Sequence, residues 1–314
     1  MIVDGRLSFT RVFWSLGQPL LLTVAVALLV TAAYSTQYPP LLVKWRSVLN
    51  ITPTPLTVIG AALSIFIGFR TNTVYSRWWD ARTLWGALTT HSRGFARQMD
   101  MYCRHSATPG DREAMEAWRK AAVLRHIGFV YAFRNRLRDI DPLIEDGLRP
   151  FVDADELTYY RTVRNVPSAV LHQQGRALHY AWERGWLQEV HLPSIDATLT
   201  EIARVQGGCE RIKNTPLPPI YTFFAYRLMI AFCCLVPLGL VSTLHWFTPE
   251  VSFLIAFAFL ALNHISHQIE TPFAMRDNDL PLTALCRAIE IDLRERVSAT
   301  PIPEPSKPVK GILL

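Results

Sequence analysis

Apolar residues in this chain are gathered into four blocks, at about 12–34, 55–69, 220–244 and 251–265, and the stretches between are rich in Arg and acidic residues. Such segregation is what a bilayer demands. Lipid cannot satisfy exposed backbone polar groups, so only helices or closed barrels can cross it. A mean hydropathy of +0.16 and a charged fraction of 18% also set the chain apart from an ordinary soluble domain. No strand-like alternation of any length occurs, so the blocks read as helices. The expected fold is all-α, with four membrane spans and a large helical region outside the bilayer.

The first block carries no charge between 19 and 33, and Arg6 and Arg11 precede it. Its length, and the lack of a clean cleavage site before the aromatic-rich 34–45 stretch, favour a span over a signal peptide. The second block opens near Pro55, where proline suits a first helical turn, and stops at Arg70. No helix breaker follows Phe69, so the helix is expected to run on through Arg77, Trp78, Trp79, Asp80 and Arg82. Trp78, Trp79 and Trp85 suit an interfacial belt. The third block follows Pro216, Pro218 and Pro219. Arg227 lies close enough to its start to snorkel, and Pro237 is expected to kink it. Only 242–250, without Lys or Arg, separates it from the fourth block.

An even number of spans puts both termini on one side, together with 70–217. That region holds 21 Lys/Arg against 17 Asp/Glu, and its positive excess predicts a cytoplasmic location. The expected setting is the plasma (inner) membrane, multi-pass, with the whole chain, 1–314, as one unit and a C-terminal helix and tail over 266–314. The net charge of +6 and pI of 9.2 fit this bias. No Lys/Arg run is dense enough to bind nucleic acid. Within 70–217 the pattern predicts an amphipathic helix over 118–138, breaks at Pro142 and Pro150, a helix from Val166 to Trp186, and another from Ile195 to about Lys213.

The second block is the richest in functional signal. Ala61, Ile65 and Phe69 are four apart and stack on one helix face. Gly60 and Gly68 lie beside that face and permit close helix approach. Repeated around a symmetric oligomer, such a face would make an apolar constriction; on spacing alone helix packing is the readier reading. Arg70, Arg77 and Asp80 follow and could act on ions near it, or form a solvated helix with an Arg77–Asp80 pair.

His264, His267 and Glu270 fall on one stripe and are candidate metal ligands of a membrane enzyme. Such enzymes need further histidine clusters, however, and here His91, His105, His126, His172, His179 and His191 are scattered singly. The stripe could instead face an aqueous vestibule, where histidine responds to pH. Asp277 and Asp279 form an oxygen-rich turn, a calcium candidate, although Ca²⁺ takes roughly six or more oxygens and Arg276 stands beside them. Asp279 reads rather as a helix cap. Cys103, Cys209, Cys233, Cys234 and Cys286 show neither C-x-x-C nor zinc-finger spacing and read as structural. No phosphate loop, G-x-S-x-G or H-E-x-x-H occurs, so neither an enzyme nor a cofactor is expected. The residues alone leave three readings: a channel, a His-metal membrane enzyme, and a membrane scaffold for a cytoplasmic partner.

Several segments resemble one family. Gly68-Phe69-Arg70-Thr71-Asn72-Thr73-Val74-Tyr75-Ser76-Arg77-Trp78-Trp79-Asp80-Ala81-Arg82, with Leu84-Trp85-Gly86 after it, is similar to the bacterial bestrophins. So are Gly208-Cys209-Glu210-Arg211-Ile212 with Asn214-Thr215-Pro216-Leu217-Pro218, and Pro272-Phe273 followed by Asn278-Asp279-Leu280-Pro281-Leu282. Their order and spacing match from the first span to about Arg296. The resemblance implies a homopentamer around a central pore, with a neck lined by Ala61, Ile65 and Phe69 and a cytoplasmic aperture near Leu192. It also implies that small monovalent ions, the bilayer and further copies of this chain are the partners. Two departures stand out. Ala61 is small where the family tends to carry a larger apolar residue. The acidic run that binds activating calcium in animal bestrophins is interrupted here by Arg276, so calcium activation is not expected. The animal proteins resemble anion channels and bacterial relatives include cation conductors, which gives a cation-leaning expectation with chloride as the alternative.

Overall fold

The computed structural model describes residues 16–35, 52–103, 109–309 and 311–313. Arg6, Arg11, the first residues of the predicted first span, the 36–51 connection and His105 lie outside the described residues. Nine α-helices occur among those described: α1 Gly17–Ser35, α2 Pro53–Tyr102, α3 Pro109–Leu137, α4 Ala154–Tyr160, α5 Val166–Glu183, α6 Leu192–Asn214, α7 Pro219–Leu244, α8 Thr248–Ile269 and α9 Leu282–Arg296. The β contacts among the described residues are isolated bridges, Cys103 with Leu187 and Val309 with Ile312.

Prolines open many of these helices, because their missing N–H is an orphan in the first turn. Pro53 starts α2, Pro219 starts α7, and α5, α6 and α8 carry Pro in their first two positions. Side chains cap the starts of α4 and α5: Asp153 accepts from the Glu156 N–H at 2.8 Å, and Asn165 accepts from the Ser168 N–H at 3.3 Å. Helix α2 has 50 residues, or about 75 Å at the α-helical rise. Two compact units divide the chain, one of residues 79–215 and 271–313, the other of residues 16–78 and 216–270.

In the first unit α3 is the central helix, packed by α5 and α9. The amphipathic pattern expected over 118–138 gives way to complete burial: every residue from His126 to Asn135 is buried. A helix covered on all sides needs no polar face, but its polar side chains then need partners. His126 Nε2 meets Ser92 Oγ at 2.9 Å, Tyr131 donates to Glu290 at 2.6 Å, and Arg134 reaches Asn135 and, at 2.8 Å, the Asp146 carboxylate. Trp85 of α2 stacks on Phe133 at 5.6 Å. Burial pushes the His126 imidazole down to about 3 and the Cys209 and Cys286 thiols up to about 12, so these groups sit neutral in the core.

The second unit joins α1, the first part of α2, α7 and α8 around Leu20, Leu63, Ile67, Met229, Phe232, Val236 and Leu260. Among the described residues three helical stretches, Gly17–Ser35, Pro53–Tyr102 and Pro219–Ile269, are long and apolar enough to cross a membrane. The last contains α7 and α8, parted by the turn His245–Phe247, where His245 takes φ +46°. Pro237 sits buried inside α7 without ending it. The apolar surface continues outside the core: Leu21, Leu29, Ile220, Phe224 and Leu254 are all exposed, a pattern that belongs in lipid rather than water. Thr23, Thr31 and Ser64 satisfy their hydroxyls on carbonyls three or four residues back.

Candidate functional site

The first part of α2 has two unlike faces. Leu56, Leu63, Ile67, Arg70 and Val74 form its buried stripe. Ala61, Ile65 and Phe69 lie on the opposite face, all exposed, with Ile65 at 61% and Phe69 at 68%. Val58, one turn before Ala61, extends the row and is 66% exposed; it lies three residues before Ala61, and that spacing was the signal that could have added it. The two glycines differ. A Cβ on Gly60 would lie 2.8 Å from Phe232 Cζ, so this glycine permits close packing of α7, whereas Gly68 has nothing within 4 Å.

Arg70 leaves the exposed row. It is 2% exposed, and its Nη1 donates to Asn263 Oδ1 of α8 at 2.5 Å while Nη2 lies 3.5 Å from Glu270. Beside it, the hydroxyls of Thr71 and Ser266 meet at 2.8 Å. Sequence reasoning missed this polar knot. Its signal was an arginine ending an apolar run, which needs a partner at that depth, and Asn263, Ser266 and Glu270 at three- and four-residue spacing on one face of α8. Arg77 is half-buried and Asp80 exposed.

The histidine stripe does not gather. His264 Nε2 lies 2.6 Å from Gln268 Nε2, His267 is exposed, and Glu270 turns to Arg70. Among the described residues no group of three His, Cys, Asp or Glu is placed to hold a metal. Asp279 does not cap α9, whose N-cap is Pro281 with no side-chain bond. It is buried and instead closes its own turn, accepting from the Arg276 N–H at 2.7 Å. Burial, partly offset by that bond and the Arg276 charge, raises its pKa. Asp277 is half-buried. Leu192 is half-buried as the first residue of α6, and Val190 in the turn before it is 72% exposed; it is a second apolar side chain at this level that helix-based reading passed over. His191 stacks on Tyr102 with centroids 4.2 Å apart.

Comparison with known proteins decides between the readings left open. The profile of the family described as Bacterial/Fungal Bestrophin protein matches residues 5–295. The chain belongs to this bestrophin family. A voltage-dependent anion channel-forming protein of Mesorhizobium japonicum is 34% identical over 305 residues, covering 96% of this chain and 94% of that one. A protein of the same description from Escherichia coli (strain K12) is 34% identical, covering 83% of each. The crystal structure of a bacterial bestrophin homologue from Klebsiella pneumoniae superposes with a TM-score of 0.79 at 30% identity, over 90% of this chain and 98% of that one. These bestrophin relatives are described as channels, not enzymes, and the apolar helices fit the membrane location of such a family. The names give no support to a cation preference.

Proposed function

We propose that this bestrophin assembles as a homopentamer around a central pore and conducts small monovalent ions through a neck formed by Ala61, Ile65 and Phe69 of five copies of α2. The observation that carries the reading is the exposed apolar row. These side chains are exposed in the single chain, and they coincide with the positions that the family resemblance assigns to the neck. An apolar ring excludes water unless it widens, which is how such a constriction gates. Four spans, cytoplasmic termini, a cytoplasmic region over 70–217 and an inner-membrane location complete the proposal, with Leu192 and the exposed Val190 near a second aperture. Arg77 and Asp80 would modulate ions beyond the neck, while Arg70, paired on the packed face, would hold α2 against α8.

An apolar neck does not itself choose the sign of the ion. The names of the relatives favour anions and replace the cation lean. The test is the reversal potential of purified protein in planar bilayers under a NaCl gradient, with Ile65→Ala and Phe69→Ala measured alongside. Reversal at the chloride potential is the expected result; reversal at the sodium potential would restore the cation reading. Each substitution should raise unitary conductance several-fold by removing apolar bulk. Unchanged currents in both would rule out this neck.

A further inference from the structure

The exposed row on the first part of α2 does not end at Phe69. Asn72 and Ser76 continue it at spacings of three and four residues, and both are exposed. Ala61, Ile65, Phe69, Asn72 and Ser76 therefore share one helix face. At the α-helical rise Asn72 stands about 4.5 Å, and Ser76 about 10 Å, beyond Phe69 along the axis. Within a single turn the row changes from apolar to polar.

These two side chains differ from the other polar groups of the stretch. Thr57, Ser64 and Thr73 each donate to the carbonyl four residues back, and the Thr71 hydroxyl meets that of Ser266. The Asn72 carboxamide and the Ser76 hydroxyl make no hydrogen bond among the described residues. Being exposed, they have room for a partner. Arg70 has none to offer, since its buried guanidinium is turned to Asn263 and Glu270. No exposed side chain from Thr57 to Ser76 is charged, so the choice of ion on this row is left to dipoles. Asparagine supplies two N–H donors and serine one O–H, each beside an acceptor oxygen.

An ion that enters an apolar ring gives up water, and an ion without its shell is costly in apolar surroundings. Neutral polar groups beside the ring replace part of the shell, and they hold the ion weakly enough to let it leave, as conduction requires. Resting on the pore reading above, we propose that Asn72 and Ser76 are the ion-selecting groups of the channel: rings of their side chains, next to the apolar neck, coordinate a monovalent anion through the carboxamide N–H and the hydroxyl. The neck sets how much passes; the rings set which anion can part with its water.

Permeability ratios of the full-length protein in planar bilayers test this, with Ile65→Ala as the control for the pore itself. The probes are chloride, which holds its water tightly, and thiocyanate, which holds it loosely. Asn72→Ala should raise the thiocyanate-to-chloride ratio several-fold, Ser76→Ala should raise it less, and Asn72→Gln, which keeps both N–H donors, should restore most of the unmodified ratio. Asn72→Asp has nearly the same shape but loses the N–H donors and adds a carboxylate, so under a NaCl gradient its reversal potential should move from chloride toward sodium. Melting curves in detergent should match the unmodified protein, because both side chains are exposed; a large drop would make Asn72 a packing residue and overturn the assignment. An unchanged ratio in Asn72→Ala and an unchanged reversal in Asn72→Asp, while Ile65→Ala raises conductance, would also overturn it and leave the neck standing. Unchanged currents in Ile65→Ala and in every Asn72 variant would overturn the pore reading and the selecting rings together.

Discussion

In the first half of α2 the side chains turned away from the packed stripe include Val58, Ile65 and Phe69, 66%, 61% and 68% exposed. In the second half they include Arg93, Arg97 and Asp100, also exposed. The packed stripe itself continues with helical spacing along both halves, from Leu56, Leu63, Ile67 and Val74 to Ala81, Trp85, Leu88, Phe95 and Met99. Period therefore says only that the helix packs against something. The chemistry of the opposite face says what it suits: apolar surroundings in one half, water in the other.

The largest effect that would break this comparison is a pair of aromatic truncations on the one helix. Trp85 is fully buried and stacks on Phe133, so Trp85→Ala should destabilise the first unit by about 3–5 kcal/mol, the usual range for emptying a buried aromatic site. Phe69, being exposed, should lose no more than about 0.5 kcal/mol on truncation to Ala, while conductance rises. Thermal unfolding in detergent beside single-channel recording separates the two. A Phe69 variant that unfolds like the Trp85 variant would mean that the outward face is a packing face.

The buried polar groups carry a second, smaller distinction. His126 is fully buried with its pKa pushed down to about 3 from an ordinary 6.5. Because the folded form resists the proton that the unfolded chain accepts, the stability of a neutral His126 is complete above pH 6.5 and is lost as the pH falls from there toward 3. Between pH 7 and pH 5 the loss should be about 2 kcal/mol from this residue. His126→Gln should flatten that acid limb in a pH series of melting curves. An unchanged limb would mean that the imidazole finds room to charge.

Most elements are visible in the sequence because their signals are local. The apolar block at 220–244 coincides with α7, Pro219–Leu244, and the helices opened by Val166 and Leu192 begin where proline permits. Ala61, Ile65 and Phe69 share a face by spacing alone. What escapes local reading is pairing across the chain. Arg70 meets Asn263 across 193 residues; an arginine at the end of an apolar run signals that a partner is needed, but not which distant residue supplies it. The burial of α3 escapes for the same reason: its cover, α5 and α9, lies elsewhere in the sequence. Asp279 misleads differently, since an aspartate ahead of a helix can cap it or close the preceding turn, and only the backbone geometry selects the turn.

The finest test of the two-faced helix compares its glycines. On Gly60 a Cβ would meet Phe232 Cζ at 2.8 Å and Cε2 at 3.1 Å, and that ring is itself braced edge-on against Phe259, with centroids 5.5 Å apart. The ring has little freedom to retreat, so overpacking of about 1–3 kcal/mol should outweigh the gain in helix propensity of about 1 kcal/mol. Gly60→Ala should therefore lower stability by roughly 1 kcal/mol on that balance. Gly68 meets nothing within 4 Å, so Gly68→Ala should raise stability by up to about 1 kcal/mol. Opposite signs in thermal unfolding would sharpen the division between packed and open faces. A loss in both would show that Gly68 is covered in the assembled protein, by something other than the neighbours seen in one chain.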